Sequence, residues 1–405
     1  MTPAGRPPRG RLPRPSADQA APAPSPGDAA SSQLAERIRA EISSAPDRRI
    51  TFARFMERAL YEPELGYYRR APDRPTDAGD FLTAPETHPI FGWTIARRIE
   101  ELWGELGRPR RFALVEYGAG SGTLALSVLD GMRRHGATEL LETIRYEPIE
   151  SNPHRRDDLR RRFVAGGFAG LLGGSEPNDG AGPAASDASV PVSGVLLANE
   201  FLDALPVHRV VVRGGKLLEL FVTWRDAFVE AVAEPSTPAL AERFALDGID
   251  VAGLAEGQVA EICLGLEPWL DDAAGRLARG FAIAIDYGFD ATELYGGRRL
   301  AGTLLGYRDH RVVENALEQP GGTDLTAHVD FTAVHRLAER RGFRTVSSTT
   351  QSEFLVGAGL ESELQALQAS PELTIADYTR ARSGILRMLD PRHMGKFRVL
   401  TLSRG

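Results

Sequence analysis

Cysteine is almost absent from this 405-residue chain: Cys263 is the single one. That excludes an intrachain disulfide framework and a cysteine-rich metal site. Lysine is nearly as scarce, with only Lys216 and Lys396 among 48 basic residues. So general a skew toward arginine follows base composition and carries no functional weight. Positive charge is not in excess either. The formal net charge of −7 argues against nonspecific nucleic-acid binding, which needs a basic face. Long apolar runs are missing. The longest, such as Phe281–Ile285, fall far short of the roughly 18 residues of a membrane span, so no membrane insertion is expected. His310 and His328 lie in different loops without metal-ligand spacing, and no metal site is assigned. The remaining balance, 42% hydrophobic and 25% charged, is that of a soluble globular protein, expected inside the cell. The length exceeds what one core fills, so about two packed units are expected.

Residues 1–32 are rich in Pro, Ala, Ser and Arg and lack apolar periodicity, which reads as a disordered tail. The arginines before Asp18 imitate a transit peptide, but eight prolines between Pro3 and Pro26 oppose its amphipathic helix. From 33 to 106 the pattern turns helical: Leu34, Ile38 and Ile42 recur at i+4, and Thr51–Leu60 puts Phe52, Phe55, Met56 and Leu60 on one face. Thr51 is a candidate N-cap. A turn-rich, lid-like stretch follows, then a helix over about Pro89–Leu106. Between 107 and 206 strands alternate with helices: FALVEY, a glycine turn and a helix, then IRYEPIE, a second helix, and GVLLANEF. Residues 165–193 are small and polar and read as a flexible insertion. Residues 207–275 read instead as an antiparallel and helical subdomain, with a Gly-Gly turn suited to a hairpin. FAIAIDYG and the closing RVLTLS assign 276–405 to a second part of the core. The expected fold is α/β: a doubly wound Rossmann-like sheet with a smaller helical and antiparallel domain built from the N-terminal segment and the insertions.

The chemistry concentrates at Glu116-Tyr-Gly118-Ala-Gly120-Ser-Gly122-Thr, directly after a strand and before a helix. Glycines there let the backbone approach a ligand. The dinucleotide fingerprint GxGxxG fails, because Thr123 stands where its third glycine belongs. An acid followed by a tighter glycine triplet suits S-adenosylmethionine, which has no pyrophosphate to seat and carries an ammonium that Glu116 can engage. A second acid is needed at the end of the next strand for the ribose hydroxyls. Glu150, at the strand tip, is preferred to Glu147.

Five segments then resemble one family in colinear order from about Ile50 to Leu402: Gly79–Gly92, Leu114–Leu124, Asn199–His208, Asp286–Gly288 and Asp324–Phe331. Together they are similar to MidA-like methyltransferases, which include a mitochondrial complex I assembly factor that dimethylates an arginine. Relatives often have Pro and Arg where this chain has Ala119 and Ser121; neither change removes a glycine. The resemblance implies a class I methyltransferase core, S-adenosyl-L-methionine as donor, and a protein arginine acceptor, such as a subunit of respiratory complex I. It implies a cytoplasmic location for a bacterial-type chain and the mitochondrial matrix for a eukaryotic one. A homodimer is among the expected states.

Methylating a guanidinium brings a cation toward a sulfonium, so carboxylates must offset the repulsion and fix the planar fork. Glu200 and Asp203, after the third core strand, are the expected clamp, with Asp80 bordering the cofactor or acceptor and His208 as proton acceptor. Asn199 and Glu200 are also assigned to the cofactor side. Glu86 lies in the same lid-like stretch as Asp80. Plainer readings stand beside these: Asp203 as a turn cap, His208 as a satisfied structural histidine, Asp286 as an acceptor for backbone amides, and Asp330 as a helix N-cap. Two other functions remain open, an assembly chaperone that binds the cofactor without turnover and a small-molecule methyltransferase.

Overall fold

Apolar runs covered on both faces form the centre of the molecule. The computed structural model describes residues 26–70, 83–173, 192–308, 311–371 and 374–405. Its main sheet contains β1 (Phe112–Tyr117), β2 (Ile144–Ile149), β3 (Val192–Asn199), β4 (Leu277–Asp286), β5 (Arg344–Thr350) and β6 (Arg398–Arg404). They lie in the order β5–β6–β4–β3–β1–β2. β2, β1, β3 and β4 run parallel, and β6 is antiparallel to both β4 and β5. All six residues of β1 are buried, as expected of a parallel strand covered on both faces. Pro148 is accommodated because β2 is the edge strand.

Alternation along the strands feeds two separate cores. Leu114, Val195, Leu197, Ile283 and Ile285 pack with Ile90–Glu105, Thr123–Arg134 and the C-terminal helices on one face. Val115, Tyr117, Leu196, Ala282 and Ala284 pack with Leu266–Arg276 and Phe331–Arg340 on the other. The connection after β1 therefore lies on one face and the one entering β4 on the other. The C-terminal ends of β1 and β3 flank the crevice where such sheets bind ligands.

The smaller unit is an antiparallel sheet. Lys216–Trp224 pairs with His208–Arg213, with Phe228–Ala233 and with the N-terminal strand Arg49–Thr51, and Val259–Ile262 pairs with His208–Arg213. Gly214 and Gly215 have φ of +56° and +69°, the two positive values that a tight two-residue hairpin needs. The helices α1 (Pro26–Ser44) and α2 (Phe52–Tyr61) cover this sheet through Leu34, Ile38, Ile42, Phe55 and Met56. Thr51 caps α2 by accepting from Arg54 N at 3.1 Å. Helix α1 starts at Pro26, inside the stretch expected as tail, because proline is compatible with a first helical turn and small residues continue it; residues 1–25 lie outside the described part. Of the insertion expected over 165–193, residues 174–191 also lie outside it, and β3 begins already at Val192. Among the described residues no helix is long and apolar enough to cross a membrane.

One ionic knot fixes the C-terminal helices against the core. His135 Nδ1 lies 2.6 Å from Glu100 and Nε2 lies 2.9 Å from the buried Glu363, which also accepts from Arg97. Burial lowers the imidazole's proton affinity, but the two carboxylates outweigh it and raise its pKa to about 9. The folded value lies above the ordinary 6.5, so this stabilisation is complete below pH 6.5 and is lost as pH rises to 9. Wild type should melt several degrees above a His135→Gln variant at pH 6, and the difference should shrink steadily toward pH 9. A difference independent of pH, measured by calorimetry, would contradict the charged pairing.

Candidate functional site

At the end of β1 the chain turns through Gly118-Ala119-Gly120-Ser121-Gly122 into α3, defined here as Thr123–Arg134. The three glycines have φ of +67°, +55° and +80°, where any side chain is strained. Their surroundings differ. A Cβ on Gly118 would lie 3.0 Å from the Phe201 ring. One on Gly122 would press on Leu159 and Phe163 at 3.0 and 3.2 Å, so this glycine allows α3 to pack on the helix Pro153–Ala165. Around Gly120 only the Arg155 guanidinium and one backbone oxygen come within 4.0 Å. The middle glycine therefore faces a cradle that a side chain would fill.

Glu150 holds that cradle in place. Its Oε2 accepts from Gly120 N at 2.8 Å and its Oε1 from Asn152 N at 2.7 Å. A carboxylate oxygen has two lone pairs, so each retains one as an acceptor. Glu147 faces the other side of β2, where Arg276 is its charged neighbour. Asn152 was not anticipated, although Asn before Pro is a helix-start signal. Its Oδ1 caps the helix Pro153–Ala165 through His154 N and Arg155 N, while its side-chain amide donates to Tyr68 O at 2.9 Å and Arg70 O at 3.0 Å. Arg162 anchors the turn from outside, donating to Ser121 Oγ at 2.6 Å and Thr123 Oγ1 at 2.9 Å. Glu116 is buried and accepts from the Tyr146 hydroxyl at 2.6 Å. Burial pushes its carboxyl up to about 8, with nearby Glu150 adding to the effect and the Tyr146 bond opposing it. A cation beside it would be welcome.

The second cluster forms where β3 ends. Glu200 sits in the left-handed region at φ +49°, held by its N–H to Ile285 O at 2.8 Å. The backbone then folds around Asp286. One oxygen of that fully buried carboxylate accepts from Phe201, Leu202 and Asp203 N–H at 3.1, 2.9 and 3.3 Å, and the other accepts from Tyr287 N–H at 2.8 Å. Asp286 is thus the acceptor for backbone amides, and its place is beneath the turn. Above it stand Glu200 and Asp203. Glu200 Oε1 accepts from Ala84 N at 3.2 Å and from the Asn199 amide at 3.3 Å. Asp203 accepts from the Tyr287 hydroxyl. Glu200 Oε2, Asp203 Oδ1 and Asn199 Oδ1 are enclosed yet accept no hydrogen bond from the described residues. Burial, then repulsion from Asp203, pushes the Glu200 carboxyl up to about 8. Burial raises Asp203 to about 6, against the Tyr287 hydrogen bond that lowers it.

The two clusters adjoin through Gly118 against Phe201 and through the Tyr117–Phe201 ring pair, whose centroids are 5.5 Å apart. Glu86 caps its own short helix through Thr83 N at 3.0 Å, next to the Ala84 amide that reaches Glu200. Asp80 lies outside the described residues. His208 does not join the cluster: its Nδ1 pairs at 2.8 Å with the fully buried Glu219, which also accepts from Ser236 N. This is a satisfied histidine of the antiparallel sheet, and nothing it contacts supports a proton-acceptor role. Asp330 caps the helix Phe331–Arg340 through Ala333 N at 3.0 Å. Tyr61, Tyr68 and Asp324 also border the turn. Only Asp324 had a sequence signal, inside the DLTAHVDF segment.

Comparison with known proteins agrees with this geometry. Residues 94–349 match the family described as "Putative S-adenosyl-L-methionine-dependent methyltransferase", and the chain belongs to this MidA-like methyltransferase family. It is 29% identical to the Drosophila melanogaster "Protein arginine methyltransferase NDUFAF7 homolog, mitochondrial", over 92% of this chain and 85% of that protein. It is 26% identical to the human "Protein arginine methyltransferase NDUFAF7, mitochondrial", over 86% and 78%. A crystal structure of a Burkholderia thailandensis protein described as a "COG1565 superfamily member and likely methyl transferase", bound to S-adenosyl-homocysteine, has a TM-score of 0.80 and 31% identity, covering 95% of both chains. The fold is therefore the Rossmann-like class I methyltransferase fold, and S-adenosylmethionine is the cofactor of the family.

Two measurements test the assignments within the site. Gly120→Val should weaken S-adenosyl-homocysteine binding by about a hundredfold, roughly 3 kcal/mol, with the circular-dichroism spectrum retained; unchanged affinity by titration calorimetry would remove the cradle from the cofactor site. Asp286→Asn replaces one acceptor oxygen by a donor facing the amides, so it should cost about 2–4 kcal/mol of stability. It should also lower methyl transfer far more than cofactor affinity. Equal loss of both would mean that the Glu200–Asp203 turn belongs to the cofactor.

Proposed function

We propose that the chain transfers a methyl group from S-adenosylmethionine to an arginine side chain of a protein. The observation that carries this reading is the set of enclosed acceptors at the end of β3, Asn199 Oδ1, Glu200 Oε2 and Asp203 Oδ1, which accept no hydrogen bond from the described residues. Buried acceptors without donors are costly, and a guanidinium offers five N–H donors in one plane. The names of the arginine methyltransferase relatives support the same acceptor class. The finer reading, a subunit of respiratory complex I, rests on the family resemblance, as does a cytoplasmic or matrix location.

The bound cofactor supplies an electrophilic methyl on a sulfonium. In this reading Glu116 meets its ammonium and Glu150 its ribose, supported by their positions at the ends of β1 and β2. Glu200 and Asp203 then have three tasks. They hold the guanidinium in line. Their negative charge offsets a repulsion of roughly 4 kcal/mol between two cations ~4 Å apart at an effective dielectric of ~20. As the N–C bond forms and the C–S bond breaks, the acceptor nitrogen becomes more acidic and its proton passes to a carboxylate. Burial raises the Glu200 carboxyl to about 8; the bound guanidinium favours its ionised form, and that carboxylate then takes the proton as the nitrogen becomes more acidic. Asp286 fixes the turn and is a positioning residue. No role falls to His208.

The test is mass spectrometry of respiratory subunits from host cells with and without the gene. A methyl increment should appear on an arginine only when the gene is present. Complementation with Glu200→Gln or Asp203→Asn should fail to restore it, with kcat reduced by about a hundredfold or more and cofactor affinity kept within about threefold. An increment on lysine, or full restoration by the double variant, would reject the reading.

A further inference from the structure

Resting on that reading of the Asn199–Asp203 turn, we propose that Tyr61, Tyr68 and Asp324 form the opposite wall of the acceptor pocket and select a planar guanidinium over a lysine ammonium. The wall belongs to segments remote in sequence. Tyr61 ends α2, Tyr68 lies in the following turn, and Asp324 opens the short strand Asp324–Thr326. The Tyr61 and Tyr68 rings are stacked, with centroids 5.7 Å apart and planes at 29°; both are partly exposed. Their hydroxyls are fixed at the carboxylate turn. Tyr61 donates to Ala204 O at 2.9 Å, and Tyr68 to Asp324 Oδ1 at 2.7 Å. The Asp324 stretch is itself bonded to that turn, through Ala327 N to Asp203 O at 3.0 Å. Tyr67 braces Tyr68 edge-on at 5.1 Å, and the Asn152 amide holds the carbonyls of Tyr68 and Arg70 beside the Glu150 turn. The wall is therefore tied to both halves of the site.

An independent feature points to a ligand. Asp203 is 6% exposed and acts electrostatically on both Tyr61 and Tyr68, yet its Oδ1 has no donor among the described residues. Asp203 and Asp324 are also the charged groups that act on both phenols, whose ionisation is suppressed first by burial and then by these two carboxylates. The hydroxyls thus remain donors throughout the ordinary pH range. Two carboxylates joined by stacked aromatic faces suit a flat, weakly hydrated cation that stacks while donating in its plane. An ammonium is compact and strongly hydrated and can use the carboxylates but not the faces.

The experiment uses the full chain saturated with S-adenosyl-homocysteine, titrated calorimetrically with N-acetyl-arginine N-methylamide and with its lysine counterpart. Wild type should bind the arginine probe about tenfold tighter. Asp324→Asn should weaken arginine binding by about tenfold, the scale of one charged hydrogen bond, and Tyr68→Phe by about threefold, with S-adenosyl-homocysteine affinity unchanged in both. Arginine affinity that survives both substitutions but falls in Asp203→Asn overturns the wall and leaves the acceptor reading intact. Equal binding of the two probes by wild type, or no binding of either, overturns the arginine reading itself. Should Asp324→Asn fail to fold, the near-isosteric Tyr68→Phe decides alone: unchanged affinity rejects the wall.

Discussion

The Asp286 carboxylate is the constraint on which the site depends. It is fully buried, carries four backbone hydrogen bonds, and lies directly beneath two more acids. Burial and then repulsion from Asp203 and Glu200 hold its pKa well above the usual carboxylate range, while the amides of Tyr287 and Asp203 favour the charged form. Each such bond to a charged acceptor is worth about 1.5–3 kcal/mol, enough together to compete with the repulsion. The result is a turn in which a non-glycine residue, Glu200, adopts a left-handed conformation. Strain of this kind, about 1–3 kcal/mol, persists only where the surroundings enforce it. Here a hidden carboxylate enforces it so that two other carboxylates can stand side by side.

That arrangement is incomplete without a cation. Within the turn the acids are answered by amides and tyrosine hydroxyls, neutral donors that leave the summed charge unbalanced. Elsewhere some buried charged groups are paired with opposite charges: Glu363 with Arg97 and His135, and Arg276 with Asp272. The contrast matters because buried charge is costly wherever it is left unpaired. At this turn the acids crowd one another, and Glu200, raised toward neutrality, is ready to exchange protons. The net charge of −7 thus gains a local meaning at the edge of the sheet.

Much of this was legible in the sequence, and what was not shares one physical cause. The strands β1–β4, the glycine turn, the Gly-Gly hairpin and the caps at Thr51 and Asp330 are local patterns, written within a few residues. The acids Glu150, Glu200 and Asp203 could be chosen because strand ends mark the ligand edge of such sheets. The contacts of Tyr61, Tyr68 and Asn152 could not, since they join elements separated by 143, 256 and 84 residues. His208 was misjudged for a similar reason: Glu219 is its partner across a hairpin, and register decides that pairing. Gly122 looked like its two neighbours in the triplet, yet its missing side chain makes room for Leu159 and Phe163. Spacing reveals that three glycines are needed but not what each one faces.

The adjacency of β1 and β3 brings the glycine turn and the acidic turn into one geometry. Because these strands pair directly, from Ala113 opposite Gly194 to Tyr117 opposite Ala198, the glycine turn and the acidic turn leave the sheet side by side. Phe201, the residue after Glu200, fills the space that a side chain on Gly118 would need. Any displacement of the acidic turn must therefore move a ring that seals the cofactor turn. Asn152 adds a second tie, joining the Glu150 end of β2 to the segment that carries Tyr68. Methyl transfer in line tolerates little misplacement between donor and acceptor. Anchoring the two turns to neighbouring strands, with Asp286 fixing the acidic one, suits that demand.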